Sequence, residues 1–159
     1  MRRKVQRVLK RSGFVPGSHD HKALLAVLED YPRDELFQVD DDELLATALG
    51  VLHLQERRQV RLFVRFDDYA RFVSCLIFLP RERFTTDNRL RVQRLLLEAF
   101  EGSGVDHATK VSESVLARLH IVVRTTSPTV RDVDLESLEP QLEVVTRAWA
   151  DALADALTA

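Results

Sequence analysis

The chain has 159 residues, of which 45% are hydrophobic and 30% charged, and its formal net charge is −2. Those proportions are those of an ordinary globular protein, long enough for one domain with a helical extension, and the balance gives no bulk positive charge for nucleic acid. The single cysteine, Cys75, rules out an internal disulfide framework, and the longest apolar runs are too short for a transmembrane helix.

Arg2 to Lys10 predicts a basic helix with Val5, Val8 and Leu9 on one side, too polar for a signal peptide and broken at Gly13 to Ser18. Asp20 is placed to cap a second helix with Leu24, Leu25, Val27 and Leu28 inward, and Pro32 disfavours its continuation. Leu36 to Val39 reads as a short strand. Asp40 then caps a third helix, with Glu43 three residues on and an apolar face of Leu44, Leu45, Ala48, Val51 and Leu52.

The strongest local signal follows. Val60, Leu62, Val64 and Phe66 alternate with Gln59, Arg61, Phe63 and Arg65. Beyond Asp67 to Ala70, Val73, Cys75, Ile77 and Leu79 alternate with Phe72, Ser74, Leu76 and Phe78. Period-two alternation across a polar turn predicts a β-hairpin. Pairing Phe66 with Arg71 sets Val64 against Val73, Leu62 against Cys75 and Val60 against Ile77, with one aliphatic face inward. The other face carries Phe63, Phe72, Leu76 and Phe78 beside Arg61 and Arg65. It is too apolar for a merely solvated surface, and these six residues form the candidate interface.

A helix is expected from Thr86 to Phe100, capped by Thr85 or Thr86 and ended by Gly102 and Gly104. Val105 to Val111 and Ala117 to Thr125 read as strands. Leu135, Leu138, Leu142, Val145, Trp149, Ala152 and Ala156 mark a long amphipathic helix, with Pro140 in or near its first turns. From Leu36 the order is β-α-β-β-α-β plus an added strand and a helix. This is an α+β, ferredoxin-like (ACT-like) antiparallel sheet with the added strand at its edge and N- and C-terminal helices. The expected divisions are an N-terminal helical extension over 1–32, the α+β domain over 33–125 and the C-terminal helix over 126–159.

Three runs, GFVPGSHDHKALLAVLEDYPRDELFQ, RLFVRFDDYARFVSCLIFLPRERFTT and KVSESVLARLHIVVRT, resemble the large bacterial NAD-specific glutamate dehydrogenases in the region before their catalytic domain. They lie in that family's order, and the resemblance covers nearly the whole chain. It implies a non-catalytic, ACT-like regulatory or assembly segment. The implied parent reaction is oxidative deamination of L-glutamate to 2-oxoglutarate, with NAD bound by the parent and no cofactor in this chain. The implied partners are other domains or subunits of the same enzyme in a homo-oligomer, with an amino-acid effector as a further candidate. The expected compartment is the cytoplasm, with neither membrane nor nucleic acid as partner.

Ten arginines against four acids lie between Arg57 and Arg94. Arg81, Arg83, Thr85 and Thr86 gather at a helix start, where N–H donors and guanidinium groups suit a carboxylate or phosphate; they are the candidate anion or effector site. The plainer alternative is solvated strand ends with surface ion pairs. ACT domains use a glycine-bearing turn after their first strand for amino acids; here Val39 to Asp42 holds three acids and no glycine, a departure that disfavours an α-carboxylate. No G-x-G-x-x-G turn is present for a dinucleotide, and no catalytic residue is assigned. Two alternatives belong to other classes: a sheet domain stacking bases on Phe63, Phe72 and Phe78, and a small ferredoxin-like hydrolase. The first lacks the RNP1 pattern. The second, built from Ser112, Ser114, His120 and Asp132, lacks a nucleophile elbow. His19-Asp20-His21 has no further ligand cluster at metal spacing.

Overall fold

The computed structural model describes residues 2–57, 59–69, 71–110, 116–125 and 133–147. The chain divides into two compact units, Met1–Arg57 and Arg58–Ala159. Among the described residues no helix is long and apolar enough to cross a membrane.

The first unit is helical: α1 (Arg2–Ser12), α2 (His19–Glu29), α3 (Arg33–Gln38) and α4 (Asp41–Arg57). Val8, Leu9, Leu24, Leu28, Leu44 and Ala48 form its buried interior. The cap of α2 is Ser18, whose hydroxyl accepts from the His21 N–H at 3.2 Å; Asp20, the expected cap, sits inside the first turn, where its charge complements the helix dipole. Asp40 caps as expected, accepting from the Glu43 N–H at 2.8 Å. Leu36 to Val39 is not a strand. Pro32 opens α3, Asp34 and Glu35 occupy its first turn, and the Val39 N–H closes it on the Glu35 carbonyl at 2.9 Å. Leu36 and Val39 are both buried, and their three-residue spacing is that of one helical face. Residues 33–57 therefore belong with the helices, and the units meet at Arg57/Arg58 rather than at the expected 32/33 division.

The second unit holds β1 (Arg61–Phe66), β2 (Phe72–Pro80), a 3₁₀ turn (Arg81–Arg83), α5 (Thr86–Ala99), β3 (Gly104–Lys110), β4 (Leu116–Arg124), a second 3₁₀ turn (Leu135–Ser137) and α6 (Leu138–Val145). The fold class is the expected one: α+β, a four-stranded antiparallel sheet with helices at both ends of the chain, ACT-like and of ferredoxin type. Sheet order is β1-β2-β4-β3. β2, α5 and β3 form a split βαβ unit with β4 antiparallel between the two strands. Without a strand at Leu36–Val39, the segment expected as an added edge strand takes a central place, and α6 supplies the second helix. The layout is ferredoxin-like with its order shifted to β-β-α-β-β-α.

The hairpin pairs Phe66 with Val73, Val64 with Cys75 and Leu62 with Ile77, two residues beyond the expected register. A shift of two keeps every side chain on its face, so the aliphatic set stays inward. The turn is wider because it is built around a carboxylate. Asp67 is buried and accepts from both the backbone N–H and Nε of Arg71 at 3.0 Å. The Arg71 hydrogen bond, over the opposing effect of burial, holds the Asp67 carboxyl below its ordinary range. Arg71 also stacks on Tyr69, which stands exposed at the tip.

Val73, Cys75, Ile77, Leu96, Phe100, Leu119, Ile121 and Leu142 form one core between the sheet and its helices. Each fully buried aliphatic side chain there contributes about 1.5–3 kcal/mol. Thr85 caps α5, and the helix ends at Phe100 with Glu101, not a glycine, in the left-handed region at φ 50. Pro140 sits in the first turn of α6, where no helical N–H bond is lost. The remainder of the long helix expected from Leu135, Trp149 included, lies outside the described residues beyond Arg147.

Gly102 marks a close approach. A Cβ there would stand 2.4 Å from Val123 Cγ1 and 3.0 Å from the Arg124 carbonyl. Val123 is wholly buried and cannot yield. Gly102→Ala is expected to cost about 1–3 kcal/mol in urea unfolding. Gly104→Ala should cost distinctly less, because its Cβ would meet only the movable guanidinium of Arg124.

Candidate functional site

β1 lies at a sheet edge, and its outer N–H groups need partners. The Asp67 N–H bonds across to the Phe72 carbonyl at 3.1 Å, so by alternation the N–H groups of Val60 and Leu62 point away from β2. Both are received by α6. Glu139 Oε1 accepts from Leu62 N–H at 2.9 Å, and Glu143 Oε2 accepts from Val60 N–H at 3.1 Å. The two glutamates stand four residues apart, one helical turn, and so reach alternate residues of the strand. Each also meets an arginine: Glu139 the Nε of Arg61 at 3.2 Å, and Glu143 the guanidinium of Arg83.

Arg83 ties this seam to the start of α5. The Asn88 side chain, itself buried, donates to the Arg83 carbonyl at 2.7 Å and to the Thr146 carbonyl at 3.0 Å. The Thr85 hydroxyl accepts from the Asn88 N–H at 3.1 Å. Of the candidate anion residues, Arg83 is thus engaged by Glu143 and Thr85 by its own helix, while Arg81 and Thr86 are exposed. The acidic turn belongs to the helical unit: Asp41 pairs with Arg7 and Asp42 with Arg11, each at 2.8 Å. The Arg7 hydrogen bond, followed by its charge, lowers the Asp41 carboxyl despite the opposing effect of burial. Glu139 and Glu143 escaped the sequence reading. Their i, i+4 spacing on the polar side of a helix was visible, but the strand edge they serve was not.

The candidate interface residues do share one face. Cross-strand rows run Arg61–Phe78–Arg118–Lys110, then Phe63–Leu76–His120–Ala108, then Arg65–Ser74–Val122–Asp106. Phe63 meets Phe78 edge-on at 6.0 Å; Arg61 and Arg65 lie over Phe63 and Phe72 at 5.4 and 5.6 Å. The arginine stems shield the rings while the charges stay outward. Within this single chain Leu76 and Phe78 are buried, and Phe63 and Phe72 are half-buried. Ser74 and His120 bond at 2.7 Å between Oγ and Nε2, tying β2 to β4. The remaining residues of the hydrolase alternative, Ser112, Ser114 and Asp132, lie outside the described residues.

Among the described residues no group of three or more His, Cys, Asp or Glu is placed to hold a metal ion. The helical unit has a cleft of about 750 Å³ lined by residues including Leu9, Phe14, Pro16, Lys10 and His21. His21 Nδ1 accepts there from the Gly17 N–H at 3.4 Å.

A helical unit followed by an ACT-type α+β domain, its edge strand β1 sealed by α6, defines the class. Residues 61–150 match the family model described as glutamate dehydrogenase, ACT2 domain, and residues 1–57 that described as glutamate dehydrogenase, helical motif 1. The NAD-specific glutamate dehydrogenases of Halomonas elongata, Pseudomonas aeruginosa and Mycobacterium tuberculosis are 46%, 42% and 34% identical to this chain. These matches cover 98%, 95% and 99% of the chain but only 10%, 9% and 10% of the relatives. The chain belongs to the glutamate dehydrogenase family and corresponds to its helical motif 1 and ACT2 segment. The nucleic-acid and hydrolase alternatives find no support among these matches.

Removing the carboxylates should open the edge. Glu139→Ala and Glu143→Ala are each expected to cost about 1 kcal/mol and to speed amide hydrogen exchange at Val60 and Leu62, whereas Glu98→Ala on α5 should do neither. Unchanged exchange at both amides in the double variant would contradict the arrangement.

Proposed function

We propose that this chain is a non-catalytic regulatory and assembly segment of a cytoplasmic NAD-dependent glutamate dehydrogenase. The parent reaction is oxidative deamination of L-glutamate to 2-oxoglutarate, with NAD held elsewhere in the parent. The observation that carries this reading is the pair of family matches, which run through both compact units in chain order. Sequence chemistry supports it, since no glycine-rich dinucleotide turn follows any strand. The pure chain is expected to reduce NAD with glutamate at the no-protein rate. Measurable turnover would overturn the reading.

Within that role we propose Arg81, Arg83, Thr85 and Thr86 as the place for an anionic amino-acid effector, in preference to the acidic Asp40–Asp42 turn. The carboxylate of such a ligand would compete with Glu143 for Arg83, which couples occupancy to the seating of α6 on β1. Titrating amino acids while following backbone amide shifts should move Arg81 to Asn88 together with Val60 and Leu62. Shifts confined to Asp40 to Leu45 would overturn this placement.

A further inference from the structure

Between the second half of α1 and the start of α2 the helical unit holds its cleft of about 750 Å³, a volume within the range of small-molecule sites. The floor is apolar. Leu9 is buried at its base, and the loop that joins the two helices brings Phe14 and Pro16 across from it. Backbone bonds set these walls. The Phe14 N–H donates to Ser12 Oγ at 3.2 Å, and that hydroxyl donates to the Leu9 carbonyl at 2.5 Å. Gly13 and Gly17 turn the loop with φ of 77 and 83, values that suit glycine. The Ser18 N–H closes it on the Val15 carbonyl at 3.0 Å.

The rim is polar and carries one sign of charge. Gln6 and Lys10 stand one turn apart on α1 and line the same side of the cleft. The other cations of this helix that meet partners turn elsewhere: Arg7 to Asp41, Arg11 to Asp42 and Lys4 to the Val39 carbonyl. Lys10 is exposed, and among the described residues no carboxylate pairs with it. His21 lines the opposite wall. Its Nδ1 accepts from the Gly17 N–H at 3.4 Å, so the neutral ring carries its proton on Nε2 and offers a donor there. Among the described residues that line the cleft, none is acidic.

We propose that this cleft binds a small aromatic monocarboxylate. The ring lies against Leu9, Phe14 and Pro16, and the carboxylate is received by Lys10, with Gln6 and His21 as neutral donors. A single uncompensated cation matches a single negative charge. A phosphate ester carries more than one and is best met by an arginine fork, and the fork of Arg7 is held by Asp41 through Nε and Nη2. A free amino acid is disfavoured as well, because its ammonium group would stand beside Lys10 with no lining carboxylate to receive it. The cleft lies wholly within the helical unit and shares no residue with the Arg81–Thr86 placement.

Indolepropionate titrated into the full chain should shift the backbone amides of Leu9, Phe14, Gly17 and His21 saturably. L-tryptophan has the same skeleton with an added ammonium group and should bind about tenfold more weakly or worse. Inorganic phosphate should leave these amides in place. Lys10→Glu sets a like charge against the carboxylate and should weaken indolepropionate by about tenfold or more, while Lys10→Arg should retain it. Lys10 is exposed, so both variants should melt with the unaltered chain. The proposal is overturned by an absence of saturable shifts at the cleft, by shifts confined to Arg81 to Asn88, by tryptophan or phosphate binding as well as indolepropionate, or by a Lys10→Glu chain that binds as the unaltered one does.

Discussion

An edge strand exposes a row of N–H groups, and the seating of α6 on β1 answers that demand. Glu139 and Glu143 each place a carboxylate on a strand N–H and an arginine at once. A charged acceptor makes a stronger bond than a neutral one, so two side chains hold a helix of eight residues that would not form alone. The apolar side of the same helix buries Leu138 and Leu142 in the core. Polar and apolar docking therefore act through adjacent faces of one short element, and neither alone would fix its register along the strand.

That seating also explains the order of elements. A ferredoxin-like sheet needs two helices on one face and a strand between the two arms of its split unit. Here β4 fills the central place, its Leu119, Ile121 and Val123 directed into the core. The helix that follows β4 returns beneath β1, which closes the layer without any strand from the first 57 residues. The helical unit builds an interior of its own from residues such as Val8, Leu24 and Leu44. The two family matches divide at the same point, residues 57 and 61.

The arginines between Arg57 and Arg94 look alike in sequence but serve different ends. Arg61 and Arg83 answer the α6 glutamates, Arg65 lies over Phe72, and Arg71 builds the hairpin turn around Asp67. Fixed guanidinium groups of this kind organise a domain more than they attract a substrate. Through Arg83 and Glu143 the start of α5 is joined to the sheet edge.

Sequence alone determined the elements whose signal is local. Alternation in Val60 to Leu79 and Ala117 to Thr125 settled which faces are apolar, and a register shift of two left that outcome intact because side chains repeat every two residues. The same logic put the six candidate interface residues on one face. Capping chemistry placed the starts of α4 and α5 correctly. At α2 the expected cap, Asp20, falls inside the first turn, and Ser18 caps instead, directly after Gly17 with its φ of 83. Tertiary structure decided the rest. Four residues, Leu36 to Val39, satisfy strand and helix spacing equally, and only packing against other helices selects between them. Which strand is central, and which glutamates meet which N–H groups, depends on contacts as distant as Val60 with Glu143. No local propensity encodes a partner 83 residues away; the carboxylates were legible as residues, and their role came from the strand that the fold brings beside them.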